Sequence, residues 1–455
     1  MKKVLILFLF ISLSMQAQYS VKGTIHPVKK YTWVLLYKVE GARQIFVKNT
    51  TIKKELKPVN GKNVTVGTFI FEMPADAKPG AYRITYDMKQ NGYIDFLYNK
   101  EEVEFSFNPE DKDATTIFSK SKENQLYQNF LNDISLAQHK VDSLQTAYLK
   151  TPSKSSETAY KKAILTTNKV QTSYANKSKG TLVHYFINAT ERYNAPSIVK
   201  NAQEYLTGVT THFYDKINFS NKHLYNSSFL IDRIADYVFY MHYSQDPDRQ
   251  ETLYKKAVDA SIHKVTDLKF KSDVIQFLIS QFSSIKNAAV VDHLFLNHFD
   301  KLPKENQNAE FKKRIQKEMA IAIGRIAPDF SWEENGKKHS LSGLKDGQSY
   351  LLLFYSTECS HCLREVPQIY ELLKGKINTK VIAFAMETSD TVWKNYQKTL
   401  SGWRHVIGLN KWENTTARTY QIASTPTYFV LNSDKKIIAN PETLEDLKMI
   451  LNQLN

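Results

Sequence analysis

The chain has 455 residues, of which 42% are hydrophobic and 12% aromatic, enough for the cores of about two to four domains and too apolar for a disordered polymer. Its 61 Lys and Arg against 46 Asp and Glu give a net charge of +15. Only ten of those 61 are Arg, the fork-shaped phosphate binder, and no dense basic run is interleaved with aromatics. A solvated basic surface is therefore expected and a nucleic-acid partner is not, with acidic partners or an anionic membrane face as the remaining reading.

The first element in chain order is a secretory signal. Lys2 and Lys3 form a basic start, Val4 to Leu13 is an apolar stretch of ten residues, and Ala17-Gln18 offers a cleavage point. The stretch falls short of the roughly 20 residues that span a bilayer, so a mature exported protein is expected, with an uncleaved anchor as the alternative. The two cysteines of the chain stand at 359 and 362, so none follows the signal to carry a lipid and a lipoprotein is not expected.

From 18 to about 110 the pattern predicts strands at 19–25, 32–39, 68–71, 82–86, 93–97 and 103–107, with turns at Asn60-Gly61 and Asn91-Gly92. A small antiparallel β-sandwich follows from this reading. From 120 to 322 the period turns helical: Leu126, Phe130, Ile134 and Ala137 share one face, and a polar break at 151–156 ends that helix. Further stripes run through Phe229, Leu230, Ile234, Val238 and Met241, and through Val274, Phe277, Leu278, Phe282 and Ile285. These predict an all-α region with packed cores and no fixed-period repeat. The histidines on helical stretches, His184, His293 and His298, are read as structural or solvent-facing.

Residues 326–455 predict an α/β layout. A hairpin at Asn335-Gly336 precedes a strand at 350–355, a helix, a strand at 379–385, a helix near 389–400 and a strand at 405–409. A helix near 413–420, a strand pair at 427–431 and 436–439, and a last helix from Glu442 complete the series. The chain is thus expected to be multidomain: sandwich, helical region, α/β domain.

Chemistry concentrates at Cys359-Ser360-His361-Cys362, directly after the apolar strand. A strand feeding a helix through C-x-x-C puts the first sulfur at the helix N-terminus, where free N–H groups and the helix dipole favour a thiolate. The second sulfur lies one turn further in, within bonding reach. A dithiol-disulfide redox centre is expected, with Cys359 attacking and Cys362 resolving. Between them Ser360 and His361 set the poise: a histidine there adds charge or a donor near the thiolate and makes the disulfide more oxidising.

Three separated signals carry a family resemblance. They are the strand-Cys-x-x-Cys-helix, Pro367 five residues after Cys362, and Ser424-Thr425-Pro426-Thr427 before the last strand pair. Residues 326–455 resemble the thioredoxin-fold domains of the TlpA/ResA type, exported thiol-disulfide oxidoreductases. The resemblance implies a cis-proline at Pro426, a substrate-pairing backbone at Thr425, and a redox-tuning role for Glu365, which matches a glutamate three residues after the second cysteine and could move a proton from Cys362. It implies no cofactor beyond the Cys359-Cys362 disulfide and no metal. Its partners would be cysteine-containing exported proteins and a membrane or periplasmic thiol electron partner, placing the chain in the periplasm. Thioredoxin's own buried acid, six residues before the first cysteine, is Leu353 here. Residues 19–320 resemble more loosely the DUF4369-like β domain and helical spacer that precede such domains in Bacteroidetes, and a homodimer could form through them.

Other readings stay beside this one. A structural disulfide closing so short a loop would add little stability. Zinc needs four ligands, and His361 and His405 show no supporting spacing. A thioredoxin-fold peroxidase is disfavoured because Leu353 stands where a proline would precede Ser356. An adaptor, whose first 320 residues carry the main role, is the competing class.

Overall fold

The computed structural model describes residues 19–454 apart from 60 and 335. The expected signal segment and the asparagines expected to form turns at Asn60-Gly61 and Asn335-Gly336 lie outside the described residues. Strands β1 (Ser20–Ile25), β2 (Trp33–Glu40), β3 (Arg43–Thr51), β4 (Lys53–Val59), β5 (Lys62–Glu72), β6 (Gly80–Asp87), β7 (Gly92–Tyr98), β8 (Val103–Phe107) and β9 (Ile117–Lys120) form two sheets. Their orders are β4-β5-β1-β8-β9 and β3-β2-β6-β7. Val21, Phe69, Phe71 and Phe105 from the first sheet meet Leu36, Tyr82, Ile84 and Phe96 from the second in one apolar cluster, the packing of a sandwich.

Two features correct the sequence reading. β1 and β8 run parallel, Val21 opposite Val103, so the sandwich is mixed and not purely antiparallel; the two strands are brought together by a long return of the chain and not by a hairpin. The first sheet also continues past residue 110, because β9 pairs with β8. Helix α1 (Lys112–Thr115) lies between them in sequence.

Helices α2 (Lys122–Lys150) and α3 (Lys154–Lys177) follow, their starts capped by Ser121 and Ser153. Ser153 sits in the polar break and accepts the Ser156 N–H, which explains why that break restarts a helix. Val141 and Tyr148 of α2 pack with Tyr160 and Ala163 of α3. Then come α4 (Val183–Ala189), α5 (Ala202–Thr211), α6 (Lys222–Tyr225), α7 (Phe229–Ala235), α8 (Pro247–Lys264), α9 (Leu268–Ser284), α10 (Ala288–Asn297) and α11 (Ala309–Glu318). The chain divides into two compact units between Val274 and Ile275, within α9. None of the described helices is long and apolar enough to cross a membrane.

In the second unit a hairpin of β10 (Ser331–Glu334) and β11 (Lys337–Ser340) precedes β12 (Ser349–Tyr355), α12 (Ser360–Leu373) and β13 (Thr379–Glu387). The remainder is α13 (Trp393–Tyr396), β14 (Arg404–Leu409), α14 (Thr415–Thr419), β15 (Thr427–Asn432), β16 (Ile437–Ala439) and α15 (Leu444–Leu454). The helix expected over 389–400 shrinks to α13 and a short 3-10 turn. The sheet order is β14-β13-β12-β15-β16, with β13 parallel to both β12 and β14 and β15 antiparallel to β12 and β16.

β12 is buried along its whole length and feeds both faces of the sheet. Tyr350, Leu352 and Phe354 enter a core with Trp332, Phe384 and Tyr420. Leu351, Leu353 and Tyr355 enter the other, with Cys362, Val366 and Ile369 of α12 and Leu447 and Leu451 of α15. The spacing Cys362, Val366, Ile369, Leu373 is the buried stripe of α12, so packing that face down fixes the second cysteine beneath the helix start.

Candidate functional site

The site grows from the end of β12. The chain leaves the sheet at Ser356, and Cys359 becomes the N-cap of α12, its sulfur accepting the Cys362 N–H at 3.2 Å. A thiol takes the capping place usually held by Ser, Thr, Asp or Asn, because an orphan helix N–H suits a thiolate as well as an oxygen. The same sulfur lies 3.3 Å from the Thr425 carbonyl, to which the thiol donates. The Thr425-Pro426 peptide bond is cis, and Thr425 is half-buried beside the cleft that holds Cys359.

Both cysteines are free thiols with opposite environments. Burial disfavours ionisation of Cys359, but hydrogen bonds from the Cys362 thiol, the Thr425 side chain and the backbone N–H groups of Cys362 and His361 outweigh it and hold the thiol below its ordinary value. Cys362 is fully buried. Burial and then the hydrogen bond with Cys359 push it up to about 12. One sulfur is poised to ionise and the other to keep its proton.

The intervening residues Ser360 and His361 are exposed. Arg364 donates to His361 Nδ1 at 3.0 Å, so that ring nitrogen offers a lone pair and the guanidinium brings a fixed positive charge to the rim. Glu365 lies one turn beyond Cys362 and accepts the Tyr428 hydroxyl at 2.7 Å. Tyr428 faces Leu353 across the β12–β15 ladder, and its phenol is raised by burial and by the hydrogen bond to Glu365. The Glu365 carboxylate thus reaches the residue paired with Leu353 on the neighbouring strand. His405 is turned elsewhere, its Nε2 bonded to the Leu400 carbonyl at 3.0 Å.

Two groups were not legible in the sequence. Glu387, at the end of β13, is 2% exposed, accepts the Thr357 N–H at 2.6 Å and lies 3.4 Å from the Ser356 hydroxyl. It fastens the loop that presents Cys359, since Cys359 N–H in turn donates to the Ser356 carbonyl at 3.2 Å. The second group is the turn carrying Lys411 and Trp412. With Glu358, Met386 and Thr425 it lines a cleft of about 170 Å³ at the Cys359 sulfur. Their only sequence signals are an acid closing an apolar strand and an aromatic inside a polar stretch.

An accessible, ionisable sulfur capping a helix over a buried partner, beside a cis-proline loop on a five-stranded sheet, defines a thioredoxin-like thiol-disulfide oxidoreductase. Residues 323–440 match the AhpC/TSA family. The thiol-disulfide oxidoreductase ResA of Bacillus thuringiensis is 30% identical over 141 residues, covering 30% of this chain and 79% of the relative. ResA of Bacillus cereus is 29% identical over 147 residues, covering 31% and 83%. A solved C-terminal domain of a thiol-disulfide oxidoreductase from Bacteroides thetaiotaomicron is 25% identical, covers 30% of this chain and 96% of that one, and aligns with a TM-score of 0.27. The chain belongs, through its C-terminal unit, to the ResA family of thiol-disulfide oxidoreductases.

Proposed function

We propose that this chain is exported to the periplasm and exchanges disulfides with cysteine-containing proteins there through Cys359 and Cys362. The contrast between the two thiols carries the reading: Cys359 is held below its ordinary value at the cleft, while Cys362 is buried and pushed up to about 12. In the reducing direction the Cys359 thiolate attacks one sulfur of a substrate disulfide. The substrate S–S bond breaks, a Cys359–substrate S–S bond forms, and the departing thiolate takes a proton. Cys362 then gives up its proton and attacks Cys359, releasing the second substrate thiol and leaving the Cys359-Cys362 disulfide.

The substrate gains two electrons and the chain loses two, which a thiol electron partner restores; the reverse sequence oxidises a dithiol. Burial of Cys362 delays its attack until the mixed disulfide exists, and Glu365, one turn away, is the group assigned to accept its proton. Thr425 offers its backbone to an extended substrate next to the sulfur. Export rests on the basic, apolar and small-residue order of residues 2–17.

Insulin reduction tests this. Cys359→Ser should abolish turnover, and Cys362→Ala should accumulate a one-to-one mixed disulfide visible as a mass increase. Equal turnover by wild type and Cys359→Ser overturns the assignment.

A further inference from the structure

The turn at Asn410-Lys411-Trp412 places two consecutive residues in left-handed backbone. Asn410 and Lys411 both adopt left-handed backbone, at φ of 70° and 44°, a region that asparagine enters readily and lysine reluctantly. The turn leaves Trp412 47% exposed. A single exposed aromatic is ordinary on a protein surface, but the turn that carries this one is fastened to its neighbours. Lys411 forms an ion pair with Glu358, the residue directly before the attacking sulfur. The Glu358 carboxylate also accepts the Thr388 hydroxyl at 3.1 Å, and Asn414 closes the far side, bonding the Leu409 carbonyl at 3.1 Å and capping α14. The position of Trp412 is therefore geared to the peptide unit that carries Cys359.

The cleft that results has three kinds of wall. Cys359 is the reacting atom, Thr425 offers backbone, and Trp412 with Met386 supplies an apolar face. The two charged groups at its rim, Glu358 and Lys411, neutralise each other, so neither draws in a charged side chain. A volume of about 170 Å³ is below the roughly 300–1,000 Å³ of small-molecule sites. It accommodates one large side chain next to the reacting cysteine.

We propose that Trp412, which lines the cleft at Cys359 on a turn tied down by the Glu358–Lys411 pair, is a specificity-determining residue that selects protein substrates carrying a bulky apolar side chain beside the reacting cysteine. This rests on Cys359 being the attacking sulfur. Trp412 takes no part in the exchange itself, and Lys411 is a positioning residue for it.

The test uses the reduced full chain and two short peptides, each holding one cysteine as a mixed disulfide with thionitrobenzoate, flanked by Phe in one and by Ser in the other. Release of thionitrobenzoate gives kcat/KM. Wild type should prefer the Phe peptide by about tenfold, equivalent to about 1.4 kcal/mol. Trp412→Ala should bring the ratio to about one, and Trp412→Phe should keep most of the preference. Lys411→Ala, which frees the turn but spares the indole, should also lower the ratio. A wild-type ratio near one, or a preference that survives Trp412→Ala, overturns the proposal and leaves the dithiol mechanism standing. Release by Cys359→Ser as fast as by wild type overturns the mechanism as well.

Discussion

Glu387→Ala isolates the anchor of the cysteine loop. The carboxylate receives the Thr357 N–H at 2.6 Å, with Thr357 itself buried; the Ser356 hydroxyl at 3.4 Å is a weaker contact. A hydrogen bond to a charged group contributes about 1.5–3 kcal/mol, and a buried N–H left without an acceptor costs about 1–3 kcal/mol. Removing the buried carboxylate also relieves its own desolvation, so a net loss of about 2–3 kcal/mol is expected for alanine. Glutamine keeps an oxygen for Thr357 and should cost about 1 kcal/mol or less. Urea unfolding of the reduced protein measures this difference.

The loop also holds Cys359 at the helix start, so its loosening should return the thiol towards its ordinary value. Any rise towards that value lowers the thiolate fraction at neutral pH, read as a slower alkylation of Cys359 by iodoacetamide. Alanine and glutamine variants that unfold together and alkylate at the wild-type rate would refute the reasoning.

Alkylation of the native reduced protein should label Cys359 alone at neutral pH, since Cys362 is buried and pushed up to about 12; equal labelling in peptide mass spectra would contradict this. The rate should fall as pH drops through the lowered Cys359 value. By linkage, the thiolate stabilises the reduced fold above the unfolded cysteine value and that contribution disappears as pH falls through the folded one, whereas Cys362 contributes below the unfolded value and loses its contribution as pH rises towards about 12. Replacing His361 by Pro should make the disulfide more reducing by about 30 mV, or about 1.4 kcal/mol, in glutathione equilibration. An unchanged potential would assign the poise to the helix start and Arg364 instead.

What the sequence shows of this fold is what local patterning can carry. The run Ser349–Tyr355 is apolar because both faces of β12 are covered, and the cysteine pair follows it within a few residues. β3 and β4 escape the pattern because their side chains are largely exposed, Phe46 at 55% and Leu56 at 72%, and their sequences show no apolar alternation. The parallel partnership of β1 with β8 is hidden for another reason, since nothing near either strand encodes it. The site divides in the same way. Cys359, Cys362 and Glu365 share one helix and its start, whereas Glu387 meets Thr357 across 30 residues and Lys411 meets Glu358 across 53. These are contacts of the folded sheet, and no local spacing announces them.

The central place of β12 has a bearing on motion. Strands border it on both sides and helices or a hairpin cover both faces, so its amide protons belong with the slowest in the unit to exchange with solvent, while β14 and β16 at the borders open first. The reacting sulfur is thereby attached to the last segment to let go. Fraying at the rim can widen or close the approach to the cysteine without displacing it, and disulfide exchange should persist under mild denaturation until the sheet opens as a whole.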